Sequence, residues 1–255
     1  MSPWPPADYR GRMELPSQDS WFSEWFNQDY LKVYAHRDEG EAQSIADLIN
    51  ARIPGLGRGL TLDLACGAGR HLPHLGVQQR TIGLDLSPWL LEVAREKDAE
   101  APLVRADMRS LPFRSATFTL VANLFTSFGY FDDDADSARM LSEVTRVTKR
   151  SGWLVLDFLN APNTRRSVVP FDQKQIGGLR VEQRRRITTS GRFVVKNIRV
   201  GVAEREFTER VRLFEPADLI AMVRAAGFEV KDLYGDYTGR SLTPQSPRAI
   251  IIAQR

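Results

Sequence analysis

Cysteine is almost absent from this chain of 255 residues: Cys66 stands alone. One cysteine closes no internal disulfide, so stability must come from a packed core and the default compartment is reducing, which makes the cytoplasm the expected localisation. Histidine is nearly as scarce, with His36, His71 and His74 only. No His, Cys and Asp cluster has metal-ligand spacing, and no metal is expected. No run of 18 apolar residues is present to span a bilayer, and the opening MSPWPPADYRGRMELP lacks the apolar segment of a secretory signal. Charge of one sign is lacking too: a net charge of +3 over 255 residues is too small to argue for nucleic acid. The length suits one α/β domain with an insertion.

What is present is concentrated in LDLACGAGRH, Leu62 to His71. Leu60 to Ala65 reads as a short buried strand, Cys66 to Gly69 as a glycine turn, and Arg70 to Gly76 as the start of a helix. Glycines at such a junction let a nucleotide approach the main chain with no Cβ in the way. A second strand, Arg80 to Leu84, delivers Asp85, where a carboxylate can accept hydrogen bonds from both ribose hydroxyls. A dinucleotide fold would put a third glycine where Leu72 stands, and no phosphate-loop lysine is nearby. Cys66 reads as a small buried residue in this turn.

The pattern resembles the first motif of class I S-adenosylmethionine-dependent methyltransferases, with Asp63, Ala65, Gly67 and Gly69 in register and Ala65 replacing the usual first glycine. Further stretches fit the same resemblance in order. Leu103 to Ala106 runs into Asp107, Met108 and Arg109, which the resemblance sets beside the adenine, Asp107 accepting its amino group. Phe118 to Leu124 ends in Asn123, Leu124 and Phe125, followed by TSFGYF. A helix over 134–149 turns through Arg150, Ser151 and Gly152 into the strand WLVLDF, and LFEPADLIAMVRAAGFEV reads as the last helix, before a final strand over 249–253.

The resemblance implies a Rossmann-like α/β three-layer sandwich: a seven-stranded, mostly parallel sheet of order 3-2-1-4-5-7-6 with its last strand antiparallel. Its core would occupy 56–165 and 214–255, with a tail and helical lid over 1–55 and an antiparallel β insertion over 166–213 covering the substrate. The first 18 residues read as a loose tail. It also implies S-adenosyl-L-methionine as cofactor, held by Asp63, Ala65, Cys66, Gly67, Gly69, Asp85, Leu86, Asp107, Met108, Arg109, Asn123, Leu124 and Phe125. From the N-terminal segment, Tyr34 or Arg37 would meet the methionine carboxylate.

Three decorations follow from pattern. Trp21, Phe22, Trp25, Phe26, Tyr30, Leu31 and Tyr34 recur at helical spacing and read first as contacts docking a helix. The stretch 171–213 alternates like strands, with turns at Gly177-Gly178 and Ser190-Gly191. From Arg180 to Arg212 it holds ten basic and four acidic residues, a surplus that reads first as a solvated face, beside readings as a site for an acidic substrate or dimer partner or for nucleic acid. Tyr234, Asp236 and Tyr237 precede a loop that is either a surface turn or part of a substrate mouth.

Methyl transfer asks mainly for orientation and dryness. Tyr130, Asp157 and Asn160 are the residues expected to meet the acceptor, with Phe125, Phe128 and Phe131 as lining; His71 and His74 read as helix-surface or packing residues. The expectation is N- or O-methylation of a small molecule by a monomer or homodimer, with neither nucleic acid nor membrane as partner. Open beside it stand an RNA or protein methyltransferase on the same core, a non-catalytic binder of the cofactor, and a nicotinamide-dependent oxidoreductase.

Overall fold

The computed structural model describes residues 25–34, 39–54, 56, 59–75, 80–98, 100–201 and 205–255. The expectations for Trp21, Phe22 and the first 18 residues lie outside them.

Two short helices come first, α1 (Gln28–Val33) and α2 (Glu39–Arg52). Then alternate β1 (Leu60–Leu64), α3 (Leu72–Leu75), β2 (Arg80–Asp85), α4 (Pro88–Lys97), β3 (Leu103–Arg105), β4 (Phe118–Asn123) and, after a 3-10 turn at Ser127–Tyr130, α5 (Asp134–Val147) and β5 (Thr148–Leu159). The helix α6 (Ala161–Ser167) leads to four strands, β6 (Phe171–Ile176), β7 (Leu179–Ile187), β8 (Phe193–Val200) and β9 (Arg205–Arg212). The chain closes with α7 (Pro216–Ala225), β10 (Glu229–Tyr234) and β11 (Arg248–Gln254).

The larger sheet has seven strands in the order β10-β11-β5-β4-β1-β2-β3, and β11 runs antiparallel to both neighbours. This is the topology that the family resemblance implies. Side-chain alternation sorts the strands onto two helical layers. Leu154, Leu156 and Phe158 of β5, with Ala249, Ile251 and Ala253 of β11, meet Met140, Leu141 and Val144 of α5 and Leu219 and Val223 of α7. Val155, Ile250 and Ile252 face the other way, onto Ile45, Ala46, Leu48 and Ile49 of α2. These rows are what fix the ends of β1, β2 and β4 in one place.

Two boundaries differ from expectation. The helix expected over 134–149 stops at Val147, because Thr148 already pairs with Phe118 and β5 runs twelve residues from there. The basic turn is a bulge inside that strand: the register shifts between Phe118 and Leu120, and Ser151 takes φ of +61°. The helix after the glycine turn opens at Leu72 and not at Arg70, and is described over Leu72–Leu75, while Gly76 lies outside the described residues.

The insertion forms its own antiparallel sheet, β6-β7-β8-β9, with both expected turns in place. The N-terminal segment docks on this sheet: Trp25, Val33 and Tyr34 pack with Val181, Ile198 and Val200. Polar bonds fasten the same junction. Trp25 Nε1 and the Tyr34 hydroxyl both donate to Glu209 at 2.6 Å, and buried Asp29 pairs with Arg205 at 2.7 Å.

Candidate functional site

At the C-terminal ends of β1, β2 and β4 lies a cavity of about 650 Å³. Its floor is the turn Ala65–Ala68; Asp85 to Ser87 and Ala106 to Arg109 form one wall, Leu124 to Ser127 another, and Phe26, Tyr30 and Tyr34 close it from above. That position outside the strand ends is where open α/β sheets take ligands.

The turn is held in a left-handed path, with φ of +63° at Ala65, +55° at Gly67 and +76° at Gly69. The two glycines have different reasons. A Cβ at Gly69 would sit 3.0 Å from the Ala94 Cβ, so Gly69 lets α4 pack close and does not line the cavity. A Cβ at Gly67 would meet only Leu90 at 4.0 Å, so what asks for glycine there is the backbone angle and the cavity itself. Ala65 carries a Cβ in the same left-handed region, a strain the usual glycine would relieve.

Asp85 joins this turn to the next element. Its carboxylate accepts from the Gly67 N–H at 2.8 Å and the Ser87 N–H at 2.9 Å, while the Ser87 hydroxyl caps α4 by accepting from Leu90. Burial pushes the carboxyl pKa up and the N–H groups of Ser87, Gly67 and Leu86 pull it back. Each carboxylate oxygen can accept more than one bond, so acceptor capacity remains at the cavity wall.

Asp63 lies one layer deeper. It is fully buried, off the cavity, and its Oδ2 has no hydrogen-bond partner. Burial, then the nearby Asp85 charge, raise its pKa from 3.8 to about 7, against a smaller downward pull from Arg70. The folded state therefore holds this proton longer than the unfolded chain, and stability falls as pH rises from about 4 to about 7. Urea midpoints of the wild type should drop relative to Asp63→Asn between pH 5 and pH 8, by an equivalent of a few kcal/mol; parallel curves would contradict this. Cys66, buried in the turn, has its thiol pushed far up by burial and by both carboxylates, which fits the inert reading.

Asp107, Met108 and Arg109 line the cavity as expected, yet Asp107 is engaged. Arg109 forks onto both its oxygens, at 3.1 and 2.7 Å, and reaches Asp136 at 2.7 Å. Burial raises the Asp107 pKa, and the bonds from Arg109 outweigh it to leave a net lowering. The adenine-amino role expected for Asp107 thus has to share those oxygens with a guanidinium.

The structure separates the acceptor-facing candidates. Tyr130 lines the cavity, its hydroxyl 3.3 Å from that of Thr126. Asp157 does not line it: both oxygens are taken, by the Phe125 N–H at 3.1 Å, the Tyr237 hydroxyl at 2.8 Å and Arg248 Nε at 2.8 Å. Asn160 donates to the carbonyls of Thr243 and Ser246, and Asn123 to the Leu64 carbonyl and Ser127 hydroxyl; neither reaches the cavity. Polar residues at strand ends were read as facing a ligand, whereas these three tie strand ends and loops together. Leu124 and Phe125 do line the wall, with Phe125 at φ of +77°.

Tyr34 also lines the cavity, with its hydroxyl bound to Glu209. His36 and Arg37 lie outside the described residues. A different arginine lies at the cavity: Arg70, bonded to Glu41 at 2.6 Å and stacked 5.1 Å over Phe125. Its place directly after the glycines was the signal available in sequence. His71 is buried and lines the cavity, not a helix surface; burial, with Arg70 and His74 beside it, lowers its pKa to about 3, so the imidazole is neutral. Phe26, Tyr30 and Asp132 complete the upper wall, with the Phe26 and Tyr130 rings 5.7 Å apart.

An adenosyl group fits these residues. The bare turn at Gly67 and the remaining acceptor capacity of Asp85, both on the cavity wall, are the features such a ligand requires. Among the described residues no group of three or more His, Cys, Asp or Glu side chains could hold a metal ion, and no helix is long and apolar enough to cross a membrane.

Comparison with known proteins agrees with this geometry. The methyltransferase domain family matches residues 62–156. A dTDP-3-amino-3,4,6-trideoxy-alpha-D-glucopyranose N,N-dimethyltransferase of Streptomyces venezuelae is 29% identical over 211 residues, 79% of this chain and 88% of that protein. A dTDP-3-amino-3,6-dideoxy-alpha-D-glucopyranose N,N-dimethyltransferase of Streptomyces fradiae is 28% identical over 254 residues, 96% of this chain and 94% of the relative. Among solved structures, an S-adenosylmethionine-bound amino pentose methyltransferase from Micromonospora echinaspora, involved in calicheamicin biosynthesis, superposes with a TM-score of 0.68 at 26% identity, covering 89% of this chain and 97% of the other.

Proposed function

Because the chain belongs to the class I S-adenosylmethionine-dependent methyltransferases, we propose that it methylates the amino group of a nucleotide-linked amino sugar. The observation that carries this reading is that similarity to an amino-sugar methyltransferase spans 96% of the chain, the roofing insertion included and not the cofactor core alone. An RNA or a folded protein would need an open groove, and here Phe26, Tyr30 and Tyr34 of the N-terminal segment, which packs on the inserted sheet, line one side of the cavity.

In this reading Asp85 holds the ribose, the turn at Gly67 lies against the nucleoside, Met108 offers its polarizable side chain to the adenine, and Arg70 takes the methionine carboxylate as the charged partner a dry site demands. The cofactor supplies a methyl group on a sulfonium, already strongly electrophilic. The chain then has to hold the amine in line and keep water out. Phe26, Tyr30 and Tyr130 put aromatic rings in the cavity lining, and such rings stabilise the positive charge that develops on a neutral amine nitrogen as its lone pair takes the methyl and the C–S bond breaks. Tyr130, paired with Thr126, is the group to orient the amine.

The test is production of S-adenosylhomocysteine with a panel of nucleotide-linked sugars that differ only in amine against hydroxyl at one carbon. Turnover of the amines, with the added methyl on nitrogen by NMR, is expected; turnover of the hydroxyl analogues alone would reject the amine assignment. Tyr130→Phe should lower kcat/KM for the amine about 10- to 100-fold while leaving cofactor affinity unchanged.

A further inference from the structure

Four carboxylates of the described residues line the cavity: Asp85, Asp107, Asp132 and Asp136. Three are engaged by groups that line it too. Asp85 holds the Gly67 and Ser87 N–H groups, and Asp107 and Asp136 share the guanidinium of Arg109, at 2.7 Å each. Asp132 is different. It is held by Arg210 of β9, which does not line the cavity and which takes Oδ1. Among the described residues nothing bonds to its Oδ2, and a carboxylate oxygen accepts from more than one donor.

The neighbouring acidic residues do other things. Asp133 accepts from the Ala135 N–H and caps α5, and Asp134 turns to Arg212 at 2.7 Å, off the cavity. Arg210 is itself fixed: its guanidinium carbon lies 3.7 Å from the centre of the Phe193 ring, and its side chain is largely buried. The strand β9 thereby fastens both sides of this end of the cavity with consecutive residues, which point to opposite faces of a strand. Glu209 holds Trp25 and Tyr34 of the N-terminal segment, and Arg210 holds the loop after β4 that carries Tyr130 and Asp132.

Charge then decides what this end of the cavity accepts. Asp132 lines it beside Phe26, Tyr30 and Tyr130, whose rings carry no formal charge. An aliphatic amine arrives near neutral pH largely as its ammonium, and the cofactor brings a sulfonium, so two positive charges meet in one cavity. A carboxylate beside the first of them offsets that repulsion. The ammonium loses one proton to water, the nitrogen lone pair forms the N–C bond while the C–S electron pair returns to sulfur, and the positive charge passes from sulfur to nitrogen. The same carboxylate thus faces a cationic nitrogen before and after the transfer. An alcohol brings it no charge, and desolvating a carboxylate against a neutral hydroxyl is unfavourable.

We propose that Asp132 selects an amine over a hydroxyl acceptor, with Oδ2 binding the ammonium and Oδ1 locked by Arg210. This rests on the amino-sugar reading above.

Calorimetry on the complex with S-adenosylhomocysteine tests it, using the matched amine and hydroxyl sugars of the panel above. Asp132→Asn should weaken binding of the amine about 10- to 100-fold, the loss expected for a charge-assisted hydrogen bond, and change binding of the hydroxyl sugar less than about threefold. Asp132→Glu should recover most of the amine affinity. Asparagine leaves Arg210 without its counter-charge, so the comparison is repeated between Arg210→Met and Arg210→Met combined with Asp132→Asn, which differ only in the carboxylate. Equal losses for the two sugars would mark a structural contact and overturn the inference while the amino-sugar reading stands, as would an amine affinity that Asp132→Asn leaves unchanged. A wild type that turns over no amine of the panel would remove the amino-sugar reading, and this inference with it.

Discussion

Asp85→Asn weakens S-adenosylmethionine binding about 100-fold or more, because two hydrogen bonds to a charged acceptor, each worth about 1.5–3 kcal/mol, are lost together. The carboxylate is placed for this role by its own bonds to the Gly67 and Ser87 N–H groups. Asparagine keeps one accepting oxygen and turns an NH2 toward a site that wants an acceptor, so the ribose and the glycine turn both lose a partner. Isothermal calorimetry measures the effect, and circular dichroism checks that the fold persists. An unchanged affinity would remove the nucleoside from this end of the cavity. Because burial raises the Asp85 pKa, the carboxylate form is also the one that acidification removes, and affinity should decline as pH falls toward the carboxylate range.

Asp157→Ala should lower the unfolding free energy by about 3–5 kcal/mol, a drop of about 10 °C in Tm, because it strands the buried Arg248 guanidinium. Arg248 sits against Asp157 at 2.8 Å and donates to the Phe125 carbonyl at 2.8 Å, while Asp157 accepts from the Phe125 N–H. The pair thus grips both sides of a residue that stands at φ of +77° on the cavity wall. Asp157→Leu combined with Arg248→Met should cost much less than the two single changes added, the expected coupling for partners in contact. If Asp157 instead acted on the acceptor, its loss would depress turnover in a protein of unaltered Tm.

That outcome bears on what the sequence can disclose. The seven-stranded order was legible only through the family resemblance, whereas the glycine turn and Asp85 were legible because each is local: two glycines after a short apolar run, and one acidic residue at a strand end. Asp157 looked like a ligand-facing residue by the same rule. Its role is set by Arg248, 91 residues further on, and by Tyr237, 80 residues on, contacts that only the docking of β11 beside β5 creates. Arg70 was passed over for the converse reason. An arginine after a glycine turn reads as the opening of a helix, and its orientation is fixed by Glu41, 29 residues upstream on α2. Asp107 shows a third limit, since Arg109 two residues later was read as a neighbour on the wall and turns out to hold that carboxylate. The roof was legible as a helix and a set of strands, and their mutual packing was not.

That packing constrains any exchange of parts. Trp25, Val33 and Tyr34 find their apolar company on β7 and β8, not on the parallel sheet, so the segment before the nucleotide core and the segment inserted late in it are structurally matched. Grafting one without the other would deprive Glu209 of Trp25 and Tyr34 and leave buried Asp29 without Arg205.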